Sequence, residues 1–274
     1  MTGYVERVPT ILVTGATDGL GKAVATSLAQ DDAHVVLHGR DDARGEQTID
    51  EIRSATGNER LDWHRADFAS LAQVRALAAT IADGYDRLDV LVNNAGIGTS
   101  GPRRQSEDGH ELVFAVNYLA HYALTRSLLP LLTASGPARI VNVSSAGQAP
   151  IDFDDVMLER HYSGVQAYCQ SKLAQVMFTF DLAEELDPAE VTANCLHPAT
   201  YMPTKMVRAA GATPASSVDQ GRDATLRLVR DSDLGSVSGR YYSGVHEERA
   251  HPQAYDADAR RRLRELSERL CFPG

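Results

Sequence analysis

The sequence predicts an α/β fold of the doubly wound type, and three observations support this prediction. Short apolar runs alternate with segments of helical period along the 274 residues. A glycine-rich turn at 14–21 separates the first apolar run from the first helical segment. The chain is 43% hydrophobic, which is enough for one large core but, at this length, not for two. We therefore expect a single domain over 1–274, with a mostly parallel seven-stranded sheet and helices on both faces.

The strand candidates are short runs rich in apolar and β-branched residues. They span 10–13, 34–38, 61–65, 88–92, 139–143, 191–196 and 239–243. The helical period occupies 21–30, 43–55, 71–83, 111–132, 164–186, 221–230 and 256–270. This alternation predicts parallel neighbours joined by right-handed crossovers.

Two long stretches, 146–166 and 199–219, interrupt the alternation. Both leave the carboxyl edge of the predicted sheet, which is where doubly wound folds bind ligands. Their length and position favour a role in covering a substrate.

The turn after the first strand reads Thr14-Gly15-Ala16-Thr17-Asp18-Gly19-Leu20-Gly21. Its glycines permit a sharp turn and a close approach to a pyrophosphate, whose charge is favoured at a helix N-terminus. The spacing matches neither the three-glycine dinucleotide fingerprint nor the P-loop, but the strand–turn–helix position favours a nucleotide cofactor. The candidate cofactor contacts in this turn are Thr14, Gly15, Thr17, Asp18, Gly19, Leu20 and Gly21.

Arg40 follows the second strand, where an acidic residue would hydrogen-bond the adenosine ribose and select NAD(H). An arginine pairs instead with a ribose 2′-phosphate. Asp18 opposes this preference slightly, since its carboxylate would lie near the phosphates. The sequence therefore favours NADPH/NADP+ over NAD(H).

Tyr168 and Lys172 stand four residues apart at the head of a helical segment, so their side chains share one face. A fixed ammonium beside a phenol favours the phenolate, and we expect the pKa of Tyr168 to lie below its ordinary value of about 10. Such a phenol can exchange a proton with a carbonyl or alcohol oxygen. Upstream, Ser144 and Ser145 close the fifth predicted strand.

The net charge of −10 argues against a nucleic-acid partner. The three cysteines (169, 195 and 271) have unrelated spacings, which suits a reducing compartment. Residues 1–9 lack the apolar core of a signal peptide, and no apolar run approaches the ~18–20 residues that span a bilayer. We expect a cytoplasmic protein that is not inserted in a membrane and acts on a small molecule.

The histidines do not predict a metal site. His246 and His251 are one residue too far apart for the helical zinc motif. His110, His121 and His197 have no partner that the sequence identifies, and we interpret them as packing or surface residues.

Taken together, these residues resemble the short-chain dehydrogenase/reductase family over nearly the whole chain. The matching motifs, in the order of that family, are Thr14-Gly15-x-x-x-Gly19-x-Gly21, Asn93-Asn94-Ala95-Gly96, Asn117, Ser144-Ser145 and Tyr168-x-x-x-Lys172. The run 139–145, the long gap to Tyr168 and the run 168–174 are most similar to the retinol-dehydrogenase-like branch. The resemblance implies a Rossmann fold that binds NAD(P).

The resemblance also implies roles for the residues at these positions. Tyr168 would be the general acid in reduction and the general base in oxidation. Lys172 would lower the Tyr168 pKa and hold the nicotinamide ribose hydroxyls. Ser145, with Ser144 as the alternative, would hydrogen-bond the substrate oxygen, and Asn117 would hold a water that links Lys172 to solvent.

Further cofactor contacts are implied at Asp67, Asn94, Ala95 and Gly96, besides Tyr168 and Lys172 themselves. The chain departs from the family after the sixth strand, where the family often has Pro-Gly and then a threonine that contacts the nicotinamide amide. Here Pro198 is followed by Ala199, and Thr204 falls one place late. Either Tyr201 or Thr204 takes over the contact.

The resemblance implies an NADP(H)-dependent oxidoreductase that interconverts a carbonyl and an alcohol by hydride transfer, which we interpret as a ketoreductase of metabolism or biosynthesis. Two alternatives stay open. A sugar-nucleotide epimerase or dehydratase usually has a longer C-terminal substrate domain, and an NADP(H)-sensing regulator tends to lack the tyrosine or the lysine. The resemblance also implies a homo-oligomer paired through 111–132 and 164–186.

Overall fold

Eight strands form one sheet in the computed structural model, which describes residues 8–99, 101–209 and 211–273. They are β1 (Thr10–Val13), β2 (His34–Gly39), β3 (Leu61–Arg65), β4 (Val90–Asn93), β5 (Ala138–Val143), β6 (Val191–His197), β7 (Tyr241–Ser243) and β8 (His246–Glu247). Their order is β3-β2-β1-β4-β5-β6-β7-β8, and every pair is parallel except β7 with β8. The predicted doubly wound class is confirmed.

The strand count differs from the prediction of seven. After β7 the chain reverses through Gly244, whose φ of +58° lies in the left-handed region that glycine tolerates. Two residues then pair back on β7 as an antiparallel edge strand. A strand this short carries no periodicity that the sequence could reveal.

The helices lie on both faces of the sheet. They are α1 (Gly19–Gln30), α2 (Asp42–Thr56), α3 (Leu71–Gly84), α4 (Leu112–Phe114), α5 (Ala120–Ser135), α6 (Gly164–Glu185), α7 (Lys205–Ala209), α8 (Val218–Arg230) and α9 (Ala257–Cys271). One buried cluster joins the sheet to α3, α5 and α6, and a second joins it to α1, α2 and α8. α1 begins two residues earlier than predicted, because the Asp18 side chain caps it at the N–H of Gly19.

The helix predicted at 111–132 is not a continuous α-helix. Glu111 is fully buried and caps α4 by accepting from the N–H groups of Val113 and Phe114. A π-helical segment, Ala115–Leu119, then separates α4 from α5. Such a segment places an extra residue in the turn and is frequent at functional sites. Asn117 lies at its centre.

The strand order places the carboxyl ends of β1, β4 and β5 side by side. The chain winds outward from β1 to β3 in one direction and from β4 to β7 in the other. The crevice of a doubly wound sheet forms at this switch between β1 and β4. The glycine turn, Asn94 and Ser145 all follow strands that end there.

The last helix, α9, packs across α5 and α6. Its Ser267 hydroxyl lies 2.7 Å from the Tyr118 hydroxyl, and its Arg264 binds Asp181 of α6 at 2.9 Å. α9 therefore covers part of the surface through which the sequence analysis expected two copies to pair. Self-association stays a prediction, and a second copy would have to use the surface that α9 leaves open.

In the described ranges, no helix is both long and apolar enough to cross a membrane. Two sequence predictions extend beyond those ranges. Residues 1–7 of the stretch without signal-peptide character lie outside the described residues, as does residue 210 of the predicted substrate loop 199–219.

Candidate active site

Tyr168 and Lys172 lie one turn apart near the start of α6, as their spacing predicts. The helix begins at Gly164, where the Ser163 side chain caps the N–H of Gln166. The Lys172 ammonium is 5.8 Å from the centre of the Tyr168 ring. Both side chains therefore reach the crevice edge from one rigid element.

The two serines at the end of β5 point in different directions, as alternation along a strand requires. The Ser145 hydroxyl is hydrogen-bonded to the Tyr168 phenol and accepts from the N–H of Gly147 at 3.1 Å. The buried Ser144 hydroxyl instead donates to the backbone carbonyl of Lys172 at 2.8 Å. The structure thus pairs Ser145 with Tyr168 and gives Ser144 a structural hydrogen bond.

The expectation that Lys172 lowers the pKa of Tyr168 is wrong for this arrangement. Burial raises the pKa of Tyr168 above its ordinary value, and the hydrogen bond from Ser145 offsets this only in part. The Lys172 ammonium is directed away from the phenol and donates to the carbonyl of Val143 and the amide oxygen of Gln175, both at 2.9 Å. Burial also lowers the pKa of Lys172 to about 7, so only part of the population is charged at neutral pH. A partly charged group 5.8 Å away cannot outweigh the desolvation of the phenol.

Asn117 joins the crevice to α6. Its side-chain oxygen accepts from the N–H of Ile97 at 2.8 Å, and its amide donates to the Ile97 carbonyl at 3.1 Å. The same amide lies 3.1 Å from the Ser171 hydroxyl. The backbone carbonyl of Asn117 lies 3.0 Å from Nδ1 of His121. Asn117 therefore orders the loop after β4 against the helix that carries Tyr168, and its role in holding a water stays a prediction.

The glycine turn is shaped as a cradle. Gly15 has a φ of +66°, and a Cβ there would lie 2.8 Å from Cα of Ala95. A Cβ on Gly21 would lie 2.3 Å from the carbonyl oxygen of Gly15. The Thr14 hydroxyl accepts from the N–H groups of Asn94 and Ala95 at 2.9 and 3.0 Å. Backbone from β1 and β4 thus meets where only glycine fits, at the N-terminus of α1, and this geometry suits a pyrophosphate.

The other predicted residues of the turn lie around the start of α1. Asp18 caps this helix and Gly19 is its first residue, whereas Thr17 lies against Gly39 at the end of β2. The Leu20 side chain is buried in the core beside α8, so only its backbone can face a cofactor.

Cationic side chains gather at the rim of the turn. Asp18 pairs with Lys205 of α7 at 3.0 Å and with Arg44 of α2 at 3.5 Å. Burial opposes ionisation of Asp18, but the hydrogen bonds from Lys205 and the Gly19 N–H hold its pKa below the ordinary value. The charge of Asp18, which the sequence analysis counted against an additional phosphate, is therefore compensated. Arg44 and Lys205 were not singled out from the sequence, because they come close to Asp18 only in the fold.

A cavity of ≈ 340 Å³ runs beside this rim, with Arg40, Gly96 and Lys205 among its walls. Arg40 is exposed at the end of β2. Asp67 follows Ala66, whose N–H donates to the Gly39 carbonyl, and the Asp67 carboxylate accepts from the N–H of Ala69 at 2.9 Å. Arg40 thus lines this cavity, and the cofactor contacts of Arg40 and Asp67 stay predictions.

The segment after β6 crosses the glycine turn. Pro198 is buried, whereas Tyr201 has a φ of +47° and is 56% exposed. A Cβ on Gly19 would lie 3.1 Å from the methyl group of Thr204. Of the two residues left open by the sequence, Thr204 is therefore the one in contact with the turn.

Tyr168 packs against a small cluster of apolar side chains. Val113, Leu158 and Ala167 are buried together there, and Ile97 and Tyr162 pack against them. Leu158 and Tyr162 belong to the stretch 146–166, which therefore does bring side chains to the site.

The spacing of His246 and His251 does not predict a metal site. Within the described part of the chain, no group of three or more His, Cys, Asp or Glu side chains could hold a metal ion.

A dinucleotide-type cradle, with a serine, a tyrosine, a lysine and an asparagine converging beside it, defines an oxidoreductase site of the Rossmann type. The chain belongs to the short-chain dehydrogenase family: the model described as "short chain dehydrogenase" matches residues 9–215. This confirms the resemblance drawn from the sequence motifs.

The relatives agree with that assignment. The chain is 37% identical to "Retinol dehydrogenase 13" of Homo sapiens, over 95% of this chain and 84% of that protein. A short chain dehydrogenase from Escherichia coli CFT073 complexed with NADPH is 30% identical, with a TM-score of 0.68 over 86% of this chain and 96% of that one. A 3-ketoacyl-(acyl-carrier-protein) reductase from Brucella melitensis complexed with NADH is 25% identical, also with a TM-score of 0.68 over 86% and 96%.

Proposed function

We propose that the chain is an NADP(H)-dependent oxidoreductase that works as a ketone or aldehyde reductase in metabolism or biosynthesis. A Cβ on Gly147 would lie 3.6 Å from the Ser145 hydroxyl oxygen and 3.9 Å from Cε1 of Tyr168, so these two side chains lie together. This pair, at the edge of the glycine cradle, is the observation that carries the proposal. It places a hydrogen-bond donor and a proton-carrying phenol together, where the oxygen of a carbonyl or alcohol can meet both.

The raised pKa of Tyr168 supports the reductive direction. At neutral pH the phenol holds its proton, which is the form that a general acid requires. In reduction Tyr168 gives this proton to the substrate oxygen, and Ser145 stabilises the charge that develops on that oxygen. A nicotinamide cofactor, when bound, supplies the hydride. Lys172, held by Val143 and Gln175, is the candidate to bind the ribose hydroxyls of the nicotinamide half of the cofactor.

The preference for NADP(H) is supported by the charges at the rim. Arg40 is exposed at the end of β2, where it can meet a 2′-phosphate, and Arg44 and Lys205 compensate the carboxylate that would repel it. One similar solved structure contains NADPH and another contains NADH, so these structures do not choose between the two cofactors. The proposal of NADP(H) therefore rests on the charges of this chain.

The substrate is proposed to be a carbonyl compound with an apolar body. The walls around Tyr168 are aliphatic or aromatic, from Ile97, Val113, Leu158 and Tyr162. Such walls contribute binding free energy in proportion to the apolar surface they cover. A cytoplasmic location and a homo-oligomeric state, both expected from the sequence, are part of the same proposal.

The test measures NADPH and NADH consumption by the purified protein with a panel of ketones and aldehydes. Tyr168→Phe removes the phenol proton and is expected to reduce turnover by about 10²- to 10⁴-fold, while NADPH binding is retained. Tyr85→Phe, which removes a hydroxyl bonded to Asp62 at 2.7 Å, is the matched control. Undiminished turnover of Tyr168→Phe would contradict the proposal.

The same experiment separates the alternatives. An epimerase or dehydratase would retain its cofactor and show no net consumption. A sensing regulator would bind NADPH tightly and turn over no carbonyl compound.

A further inference from the structure

A line of buried side chains connects Lys172 to the glycine turn. Nζ of Lys172 lies 2.9 Å from Oε1 of Gln175, and Nε2 of Gln175 lies 3.1 Å from Nδ1 of His121. On the other side of the imidazole, Nε2 of His121 lies 3.4 Å from the Thr14 hydroxyl. All four residues are at most 4% exposed. The sequence alone gives His121 no role beyond packing or surface exposure, and it does not single out Gln175.

The chemistry of these groups sets the direction of each hydrogen bond. An ammonium only donates, so Gln175 must present its amide oxygen to Lys172. The amide N–H of Gln175 then faces Nδ1 of His121, which must accept. The ring proton is therefore on Nε2, which faces the oxygen of Thr14.

A competing arrangement exists for the same imidazole. Nδ1 of His121 also lies 3.0 Å from the carbonyl oxygen of Asn117. With its proton on Nδ1, the ring would donate to that carbonyl, but this N–H would then oppose the N–H of Gln175. Two donors face to face in a buried site are costly. In the Nε2–H form the Nδ1 lone pair instead faces the Asn117 carbonyl oxygen, so each tautomer leaves one unfavourable contact. The charge on Lys172 favours the Nε2–H form, because it fixes the amide orientation of Gln175.

We propose that Gln175 and His121 are positioning residues for the Lys172 ammonium, and that this ammonium in turn holds His121 in the Nε2–H form, in which Nε2 faces Thr14. The line of side chains thereby links the lysine behind the reacting phenol to the turn that cradles the cofactor. Its part in catalysis rests on the proposed function, whereas the hydrogen bonds themselves do not.

The titratable groups around Lys172 do not change their protonation near pH 7, so the titration of Lys172 can be measured by itself. Tyr168 faces it from its own helix, and the pKa of that phenol is raised. His121 faces it from α5, and burial together with the Lys172 charge lowers the pKa of His121 to about 3. His38 of β2 interacts electrostatically with His121, and burial lowers the pKa of His38 to about 4. Near pH 7 both imidazoles are neutral, so the Lys172 charge titrates without a change in theirs.

The chain contains three lysines, Lys22, Lys172 and Lys205, which makes a direct measurement feasible. In protein labelled with ¹³C-lysine, the Cε signal of Lys172, assigned by its loss in Lys172→Met, is followed against pH. Accepting a hydrogen bond from the ammonium stabilises the charged form, so Gln175→Leu is expected to move the midpoint down by about one pH unit or more. Gln175→Glu is expected to move it up.

Gln170→Leu is the matched control, because Gln170 is a buried glutamine of the same helix that donates to Val156 at 2.7 Å. It is expected to leave the Lys172 midpoint in place. Equal midpoints in the wild-type protein, Gln175→Leu and Gln175→Glu would overturn the proposal.

The tautomer of His121 gives a second, independent measurement. With ¹⁵N-histidine at a pH where Lys172 is charged, the wild-type ring is expected to carry its proton on Nε2. In Gln175→Leu the ring is released to donate from Nδ1 to Asn117. The same tautomer in both proteins would refute the inference, even if the variant were less stable or less active.

Activity assays separate this inference from the proposed function. If the midpoint and the tautomer shift as described but no carbonyl compound is reduced, the line of hydrogen bonds stands and the oxidoreductase proposal fails. If reduction is observed but neither signal moves, the positioning role fails and the enzymatic proposal stands.

Discussion

The Ser145 hydroxyl is hydrogen-bonded to the phenol of Tyr168, whereas its neighbour Ser144 donates to a backbone carbonyl. The bond from Ser145 counteracts part of the increase in the Tyr168 pKa that burial causes. One serine of the pair therefore acts on the reacting group, and the other holds β5 against α6.

Ser145→Ala is expected to reduce turnover by about 10²-fold, because it removes a donor that stabilises charge on the substrate oxygen. The pKa of Tyr168 should rise further, so in the oxidation direction the limb that reports the deprotonated phenol should move to higher pH. Ser144→Ala should cost about 1 kcal/mol of stability and leave that limb in place. The measurements are pH–rate profiles and urea unfolding. Identical profiles for the two variants would contradict the assignment.

Arg40→Leu is expected to weaken NADPH binding by about 10- to 100-fold and to leave NADH binding nearly unchanged, since only NADPH carries the 2′-phosphate. Binding is measured by fluorescence titration with each cofactor. Arg53→Leu removes a guanidinium near the far end of α2 and serves as the control. If the affinities for NADPH and NADH fell equally, Arg40 would not bind the 2′-phosphate.

Acid is expected to destabilise the fold through His38. Burial lowers the pKa of His38 from 6.5 to about 4, so the unfolded chain binds a proton at pH values where the folded chain does not. Stability from this neutral imidazole is full above pH 6.5 and is lost as the pH falls towards about 4. Between pH 7 and pH 5 we expect His38 alone to account for about 2 kcal/mol.

Urea unfolding at the two pH values tests this expectation. His38→Gln should flatten the dependence of the unfolding free energy on pH, whatever its effect at pH 7. The same substitution at the exposed His161, His161→Gln, is the matched control. A slope that is the same for His38→Gln and the wild-type protein would assign the acid sensitivity to other groups.

The attachment of α9 depends on Asp181, which is 7% exposed and accepts from Arg260 and Arg264. Asp181→Asn leaves the buried Arg260 with less compensation and is expected to cost about 3 kcal/mol of unfolding free energy. Arg264→Met removes a side chain that is 42% exposed and should cost less than about 1 kcal/mol. Urea unfolding checks the difference, and light scattering shows whether loosening α9 changes the oligomeric state. If both variants lost the same unfolding free energy, the burial of Asp181 would not contribute to the attachment of α9.

Much of the fold could be read from local patterns. The strand 10–13 and the helix at 164–186 were predicted within one residue, because apolar runs and helical period report burial directly. The π-helical segment at Ala115–Leu119 could not be predicted, since one extra residue in a turn leaves the apolar spacing nearly unchanged. The strand β8 is two residues long, so pairing with β7 creates it rather than any propensity of its own.

The sequence by itself predicted carbonyl–alcohol chemistry with a nicotinamide cofactor and the side chains that would take part in it. The glycine turn, Asn117, the serine pair and the Tyr168–Lys172 spacing are local features, and they are enough to name the family. Tertiary structure alone decided which serine meets the phenol, that Gln175 holds Lys172, and that the pKa of Tyr168 is raised rather than lowered. Desolvation and hydrogen-bond direction depend on atoms far apart in sequence, such as His121 and Gln175 at a separation of 54 residues, so no local pattern contains them.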